Sequence, residues 1–361
     1  MTALADTIDP RSVLPGTALT PLGLRGFDGV GGKLSMAPED FIVEEILPYA
    51  ASGSGDHYFV QIRKSGLSTR EAIQSFAQKY NLNTREIGYA GLKDRDAITT
   101  QWISLPTEPV SWSNDAIEIL SVNRHQKKLK NGHVAGNRFT VFIDEVSMAN
   151  DHQIHEIIEQ LSNGFPNYFG IQRFGGPTAK SLQRALYWVG HGCPRSKQAK
   201  FMTSVLQSAV FNLWLGARVV EPGLSIARLG DVLKKRETGG LFYCEEPEVD
   251  SLRLADGEID PTGPLFGPKL KVAREEAREF EMQAESRLNL SEAQLKLLGR
   301  FGAGTRRVAR VCPSELSFER VGARLKFSFC LPSGVYATVL LAEIMRPPTG
   351  YLLRQAQSTE G

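Results

Sequence analysis

Residues 88–102 read GYAGLKDRDAITTQW, and the fold and the function are inferred outward from this stretch. The glycines at 88 and 91 carry no Cβ, so a backbone or another molecule can approach closely. A Lys-Asp-Arg-Asp turn follows, and residues 97–105 then have strand character. Nearby cations favour an ionised carboxylate, which is a usable nucleophile. Asp94, between Lys93 and Arg95, is the candidate catalytic residue; the alternative is a β-turn with solvated charges.

The bulk composition is that of an ordinary globular protein. The chain has 361 residues, 42% hydrophobic and 23% charged, which excludes a disordered chain and is enough for two domains or one large one. Its net charge of +2 is too small to indicate a nucleic-acid partner by itself. Any RNA-binding surface must therefore come from local clusters of positive charge.

Cysteine usage and hydropathy indicate a cytoplasmic location. The four cysteines are isolated and form no CxxC pair, which argues against a disulfide framework and a zinc knot. No apolar run approaches the roughly 20 residues of a membrane span, so we expect no membrane partner. The first eleven residues contain acids and no apolar core, which is unlike a signal peptide.

The N-terminal third alternates strand and helix signals. Residues 41–47 and 58–63 have strand patterns. Ser68-Thr69-Arg70-Glu71 is a capping box, which predicts a helix starting there. Its apolar residues recur at helical spacing and predict a core-facing stripe: Ala72, Ile73, Phe76, Ala77 and Tyr80.

Residues 118–144 predict two strands joined by a basic connector. Its basic residues have no acid between them: Arg124, His125, Lys127, Lys128, Lys130, His133 and Arg138. Such a cluster is a candidate phosphate-binding surface. The alternative is a solvated hairpin edge, where lysine discourages edge pairing.

Residues 164–175 place four aromatic residues among glycines beside Arg173. This mixture suits base stacking, and it equally suits a packed loop between domains. Just before it, residues 155–159 read HEIIE and lack the second histidine of a zinc-protease helix, so we expect no metal site.

The C-terminal half predicts helices first and strands last. Helices are expected at 178–189, 201–219 and 273–288, with a polar, irregular stretch before the third and a second capping box at Ser291. Arg306 and Arg307 are candidate phosphate contacts. Strands are expected at 315–320, 324–331 and 336–341.

These motifs, taken in order, resemble the tRNA pseudouridine synthase D family. The pattern AGxKD matches at 90–94 and TxQW at 99–102, while PEDFxVxE matches at 38–45 and GNxF at 136–139. Residues 167–175 match NYFGxQRFG at every specified position, and TGPLFG and a closing FxLPxGxY-A-T segment also occur. The chain departs from the pattern at Ser35 and Ala342, where the family tends to have basic residues.

The resemblance implies a site and a substrate. Asp94 is the nucleophile, and Asn137 and Phe139 line the uridine pocket. Further substrate-binding residues are Lys93, Tyr336 and Arg173. The implied reaction converts uridine to pseudouridine at position 13 of the tRNA D arm. The implied partner is tRNA, the protein is expected to be a monomer, and no cofactor is required.

The resemblance also implies an α+β fold, the pseudouridine synthase fold. Its central, largely antiparallel sheet is built from both chain ends, residues 1–163 and 312–361, and residues 164–311 form an inserted α+β domain.

Some alternatives stay open. An RNA-binding or RNA-chaperone protein of the same fold would lack turnover; the departures at Ser35 and Ala342 favour it, while the intact Lys93-Asp94 and Asn137–Phe139 oppose it. A third option is a pseudouridine synthase that acts on another RNA. Asp96 could form a glycosidase-like carboxylate pair with Asp94, which we disfavour because a turn pair with a neighbouring cation is commoner. Whether Asp94 attacks C6, attacks C1′ or abstracts a proton to give a glycal is undecided.

Overall fold

The computed structural model describes residues 8–95, 97–146 and 150–347. In chain order the strands are β1 (Gly31–Leu34), β2 (Phe41–Ile46), β3 (His57–Lys64), β4 (Gly88–Tyr89), β5 (Ile98–Leu105), β6 (Ile117–His125), β7 (Gly136–Val146), β8 (Phe165–Pro166), β9 (Val232–Lys235), β10 (Leu241–Tyr243), β11 (Ile259–Leu265), β12 (Thr305–Val308), β13 (Arg310–Val311), β14 (Ser314–Val321) and β15 (Arg324–Pro332). The α-helices are α1 (Thr69–Lys79), α2 (Asp151–Ser162), α3 (Lys180–Gly190), α4 (Ala199–Val220), α5 (Pro247–Ala255), α6 (Glu275–Ser286), α7 (Glu292–Leu298) and α8 (Ala337–Met345).

Contacts within the described residues group into two compact units. The sheet unit comprises residues 31–95, 97–146 and 313–334, and the helical unit comprises residues 8–30, 150–312 and 335–347. These boundaries differ from the expected domains because residues 8–30, 150–163 and 335–347 group with the middle of the chain. The domain assignment from the resemblance stays a prediction.

One large sheet dominates the sheet unit. Its order is β14-β15-β7-β2-β5-β3-β6, with β1 added on β7 and β4 on β5. Every pairing is antiparallel except β2 with β5. Because β15 pairs with β7 from Leu325 to Pro332, strands far apart in sequence complete one sheet. The expected central, largely antiparallel sheet is confirmed.

Helix α1 packs its apolar stripe on this sheet. The predicted capping box is present: the Ser68 hydroxyl accepts from the Glu71 amide, and the Glu71 carboxylate accepts from the Ser68 amide. Ala72, Ile73 and Phe76 are buried in one cluster with strand residues of β3 and β5. The stripe is therefore core, as its spacing predicted.

The helical unit contains α2 to α8 and two small sheets, β10-β9-β11-β12 and β13-β8. The stretch expected to be polar and irregular thus contains β9, β10 and α5. Helix α4 is buried along most of its length and packs on β11. Gly263 permits this contact, since a Cβ there would lie 2.2 Å from Cε3 of Trp214.

The expected strand at 336–341 is wrong, because residues 337–345 form helix α8. Eight of its nine residues are buried. A continuous apolar run shows neither the helical nor the strand period, so periodicity alone cannot distinguish a buried strand from a buried helix. None of the helices in the described parts of the chain is long and apolar enough to cross a membrane.

Candidate active site

Asp94 lies in the loop that connects β4 to β5. The short strand β4 pairs with β5 before the loop, and β5 itself begins after it. The Asp94 residue is exposed, and its backbone carbonyl accepts a hydrogen bond of 2.9 Å from Nζ of Lys64. The loop therefore presents the carboxylate to solvent while its backbone is fixed from within. Asp96, the other carboxylate considered, lies outside the described residues.

Lys64 is the buried cation beneath this loop, and its side chain also donates to the Leu67 carbonyl. Burial lowers the pKa of its ammonium to about 8; the Asp94 carboxylate opposes the shift and Lys93 adds to it. Asp94 and Lys64 thus interact electrostatically as a carboxylate and a cation. Sequence reasoning missed Lys64, although it continues the inward-facing positions 58, 60 and 62 of β3.

Lys93 turns inward to a carboxylate and an amide. Its Nζ lies 3.0 Å from Oε1 of Glu45 and donates to Oδ1 of Asn137 at 2.6 Å. Glu45 and Asn137 are directly opposite each other in the pairing of β2 with β7. The Lys93 amide donates to the Thr69 hydroxyl at 2.8 Å, which holds the loop against α1.

The cations adjacent to Asp94 in sequence therefore have other carboxylate partners. Lys93 pairs with Glu45, and Arg95 pairs with Glu71. Glu45 is fully buried at its side chain and also accepts from the Trp102 amide at 3.0 Å. Sequence reasoning missed its role; the signal was its place two residues after Val43, on the face that Phe41 and Val43 share.

Phe139 lies on the same face of β7 as Asn137, two residues further on. Its ring stacks on Phe329, with centroids 5.3 Å apart, and meets the edge of Phe41 at 6.3 Å. Phe139 is 8% exposed, so most of the ring is already covered by these neighbours. The structure thus brings Lys93, Asn137 and Phe139 to one sheet face, with Asp94 on the adjoining loop.

Tyr336 and Arg173 belong to the helical unit. The Tyr336 ring meets the edge of Phe169 at 6.1 Å, and Gly170 allows the approach, since a Cβ there would lie 2.8 Å from Cδ1 of Tyr336. Burial raises the pKa of the Tyr336 hydroxyl, while Arg173 and Arg307 oppose the shift. Arg173 donates to the Ser208 hydroxyl at 3.1 Å. Tyr336 and Arg173 therefore belong to one cation–phenol group within the helical unit.

Arg307 joins this group. Its guanidinium lies over the Phe169 ring at 4.1 Å and donates to Oδ1 of Asn167 at 2.6 Å. Burial lowers the pKa of Arg307 to about 10, and Arg173 adds to the lowering. By contrast, Arg306 is 2% exposed at its side chain and pairs with Glu281 at 2.5 Å. The expected phosphate contact at Arg306 is wrong, because its charge is enclosed in an internal ion pair.

The four aromatics of residues 164–175 are all buried: Phe165, Tyr168, Phe169 and Phe174. The packed-loop alternative describes them better than base stacking. Asn212 fixes part of this segment, because its Oδ1 accepts from the Phe169 amide at 2.8 Å and its Nδ2 donates to the Phe169 carbonyl at 3.0 Å.

The basic connector has mixed contacts. Arg124 donates to the Tyr58 hydroxyl at 3.0 Å, and Arg138 pairs with Glu315 at 2.7 Å. Lys127 and Lys130 are exposed and make no ion pair with the described residues. Part of the connector is therefore structural, and part remains available to an anion.

At the two positions that depart from the family pattern, the neighbours account for the residue. The Ser35 hydroxyl donates to Oδ2 of Asp40 at 2.6 Å, and Asp40 also pairs with Arg324. Ala342 is completely buried in α8, where a long basic side chain would not fit. Next to it Glu343 accepts from the amides of Gly23 and Leu24, and burial raises its pKa.

All four cysteines are free thiols: Cys193, Cys244 and Cys330 are buried, and Cys312 is partly exposed. Within the described ranges no group of three or more His, Cys, Asp or Glu is arranged to hold a metal ion.

Comparison with known proteins gives a consistent family. A family model described as tRNA pseudouridine synthase D (TruD) matches residues 24–187 and 194–344. A protein of that name from Anaeromyxobacter sp. (strain Fw109-5) is 38% identical over 343 residues, covering 90% of this chain and 96% of the relative. One from Thermus thermophilus is 36% identical over 338 residues, covering 90% and 92%.

The fold is similar to that of a solved structure as well. A Methanosarcina mazei crystal structure, described as a candidate tRNA pseudouridine synthase D, superposes with a TM-score of 0.68 at 21% identity. The match covers 90% of this chain and 96% of that one. The Asp94 loop, the mostly antiparallel sheet beneath it and these matches along the chain lead to one conclusion: the chain belongs to the tRNA pseudouridine synthase D family and has the pseudouridine synthase fold.

Proposed function

We propose that this chain converts uridine to pseudouridine at position 13 of the tRNA D arm, with Asp94 as the nucleophile. Membership of the family makes the chain a tRNA pseudouridine synthase, which is an isomerase. The observation that carries the finer proposal is the exposed Asp94 carboxylate on a loop whose backbone is fixed by hydrogen bonds to Lys64 and Thr69. A carboxylate carried on a fixed backbone needs less reorganisation when the substrate reacts.

The reaction balances without an oxidant, a reductant or water as a reactant. The N1–C1′ bond of the uridine breaks, the uracil turns, and a C5–C1′ bond forms. The proton on C5 is released and N1 gains one. The chain must therefore supply a carboxylate, contacts that retain the detached uracil, and cations for the flanking phosphates. Because the change is redox-neutral, the proposal includes no metal or cofactor.

The Asp94 carboxylate supplies the negative charge. Lys64 interacts with it by charge from inside the sheet unit, while Lys93 is occupied by Glu45. Attack at C1′ or C6 and abstraction of a sugar proton all use the same carboxylate. The target base must first leave its stack, at a cost of a few kcal/mol that phosphate contacts offset.

Asn137 and Phe139 are proposed to bind the uracil. Because Oδ1 of Asn137 accepts from Lys93, its Nδ2 amide group is directed away from that ammonium and is the group that can donate to a uracil carbonyl. The rim of the Phe139 ring would pack against the base, since its faces are covered. Lys93 thus acts by orienting Asn137.

Tyr336 and Arg173 are proposed as substrate contacts contributed by the helical unit. Arg173 and Arg307 place two guanidinium groups near one phenol, a grouping suited to an RNA phosphate. We also propose that residues 1–163 and 312–361 form the catalytic domain and that 164–311 are inserted. The pairing of β15 with β7 supports the contribution of both chain ends. The protein is proposed to act as a cytoplasmic monomer.

The test is tritium release from a tRNA transcript labelled at C5 of uridine. Wild type and Asp115→Ala should release tritium, because Asp115 is an exposed aspartate remote in sequence from the Asp94 loop. Asp94→Ala should release none and should still bind RNA. Site mapping should place the product at position 13.

The possible failures are distinct. Activity that survives in Asp94→Ala would exclude Asp94 as the essential carboxylate. Modification at another uridine would refute the proposed position 13 of the D arm, while the proposed isomerase reaction would still hold. Tight RNA binding without release by any variant would favour the RNA-binding alternative. A dimer peak in size-exclusion chromatography would refute the proposal that the protein is a monomer.

A further inference from the structure

A basic cavity of about 650 Å³ lies in the sheet unit, outside the Asp94 loop. Its walls are the start of α1, the segment between α1 and β4, and the connector between β6 and β7. The volume is in the range of small-molecule and nucleotide sites. The lining includes the buried, apolar Ile73 and the half-buried Tyr89, which also packs against the core cluster beneath α1.

The charges around the basic cavity are all positive. Arg70, Arg85, Lys128 and Lys130 line it, and none of the described residues that line it is acidic. None of the four makes an ion pair with a described carboxylate, and the Nζ of Lys128 donates to the Arg85 carbonyl. Four like charges that converge without a counter-charge favour an anionic ligand.

Two hydrogen bonds join the cavity wall to residues on either side of the Asp94 loop. The Leu129 amide donates to the Ser104 hydroxyl at 2.9 Å, and the Gly132 amide donates to the Ala90 carbonyl at 2.9 Å. Gly88 lets the connector lie this close, since a Cβ there would be 2.4 Å from the Leu129 carbonyl oxygen. The connector is therefore held against the two strands between which the Asp94 loop lies.

We propose that the basic cavity binds a nucleotide of the substrate RNA other than the target uridine. The phosphates contact the four cations, and the base packs on Tyr89. The inference rests on the proposed function for the identity of the RNA. The five residues from Tyr89 to Asp94 span at most about 18 Å. A nucleic-acid strand rises about 3.4 Å per nucleotide, so the bound nucleotide lies within roughly five steps of the target.

The test measures RNA affinity directly, so it is independent of turnover. Fluorescence anisotropy follows a labelled tRNA transcript binding to Arg85→Gln, Lys130→Gln and the double variant over a range of salt. The dissociation constant should rise, and the log–log salt slope should fall by about 0.7 for each phosphate that a variant no longer neutralises. Tyr89→Leu should weaken binding about tenfold because the base no longer stacks on a ring, with an unchanged salt slope.

Substitutions at two further lysines distinguish RNA binding in the cavity from nonspecific attraction to positive charge. Lys79→Gln removes an exposed cation at the other end of α1 and should leave the affinity unchanged. Lys127→Gln removes an exposed lysine of the same connector that makes no ion pair with the described residues and does not line the cavity, and its effect should be smaller than that of Lys130→Gln. Equal effects at 127 and 130 would overturn the cavity in favour of a diffuse basic surface.

Turnover separates the two proposals. In tritium release, Lys130→Gln should raise KM and leave kcat near wild type, since the reacting atoms are elsewhere. Wild type that binds RNA through the cavity but releases no tritium would refute the proposed function and not the cavity. Affinity unchanged in the double variant would refute the cavity whatever the activity. If free uridine monophosphate bound in the cavity at saturation and the variants showed no RNA contact there, the cavity would be assigned to a free nucleotide instead of to the RNA.

Discussion

Replacing Lys93 with methionine tests whether the Asp94 loop is held by a buried ion pair. Methionine keeps an unbranched stem but removes the ammonium that lies 3.0 Å from Glu45 and 2.6 Å from Asn137. The Lys93 and Glu45 side chains are 8% and 0% exposed, so water cannot replace the missing partner. The variant leaves a buried carboxylate without its counter-charge.

Breaking a buried pair by removing one partner costs about 3–5 kcal/mol, so Lys93→Met should lower the free energy of unfolding by that amount. At about 2–4 °C per kcal/mol, the melting temperature should fall by roughly 6–20 °C. The Arg63–Glu118 pair in the same unit is the matched control, because its side chains are 53% and 46% exposed. Arg63→Gln should cost no more than about 1 kcal/mol.

Urea unfolding of four proteins measures the coupling: wild type, Lys93→Met, Glu45→Gln and the double variant. The double variant should be destabilised less than the sum of the single ones, by about 0.5–3 kcal/mol, because it carries no unpaired charge. The reasoning fails if Lys93→Met costs no more than Arg63→Gln, or if the two single effects simply add.

Three further changes test the buried groups around the site and the fold. The pKa of Lys64 is about 8 in the folded protein and ordinarily 10.5. Between these two pH values the unfolded chain binds one more proton than the folded protein, so the free energy of unfolding should rise with pH. Lys64→Met should remove this rise in urea unfolding. Gly263→Ala should lower the free energy of unfolding by about 1–3 kcal/mol because its Cβ would enter the Trp214 ring. In the control Gly240→Ala a Cβ meets nothing closer than 3.4 Å, so thermal unfolding should give a stability within about 0.5 kcal/mol of wild type. Phe139→Leu should retain a folded protein and lower kcat in tritium release; full activity would assign the ring to the core alone.

The sequence predicted elements that depend on local chemistry. The capping boxes at Ser68 and Ser291 begin α1 and α7, because both bonds of each box form between residues three apart. The strand periods at β2 and β3 are readable because buried and more exposed residues alternate over positions 43–46 and 60–64. Helix α8 was mistaken for a strand because it is buried on nearly every side and has no period.

Only those residues of the candidate site that lie within one continuous sequence motif could be predicted from the sequence. Asp94 could be proposed from its neighbours in sequence, but its electrostatic partner could not, because Lys64 is thirty residues away and reaches the loop from the neighbouring strand β3. Likewise the register of β2 with β7 sets Glu45 opposite Asn137, and register is fixed by the whole sheet rather than by either strand. Charges adjacent in sequence, such as Arg95, were paired elsewhere.

The two buried lysines hold the loop by different means, and this difference has a consequence for substitution. Lys93 compensates a buried carboxylate, so its removal leaves Glu45 unpaired and should appear first as instability. Lys64 donates to backbone carbonyls at Leu67 and Asp94, so its removal frees the loop without stranding a buried charge. Replacing Lys64 should therefore affect the position of the Asp94 carboxylate more than the stability of the fold. A loop held by both lysines keeps the Asp94 carboxylate exposed while the loop backbone is fixed in position, which a solvated β-turn would not achieve.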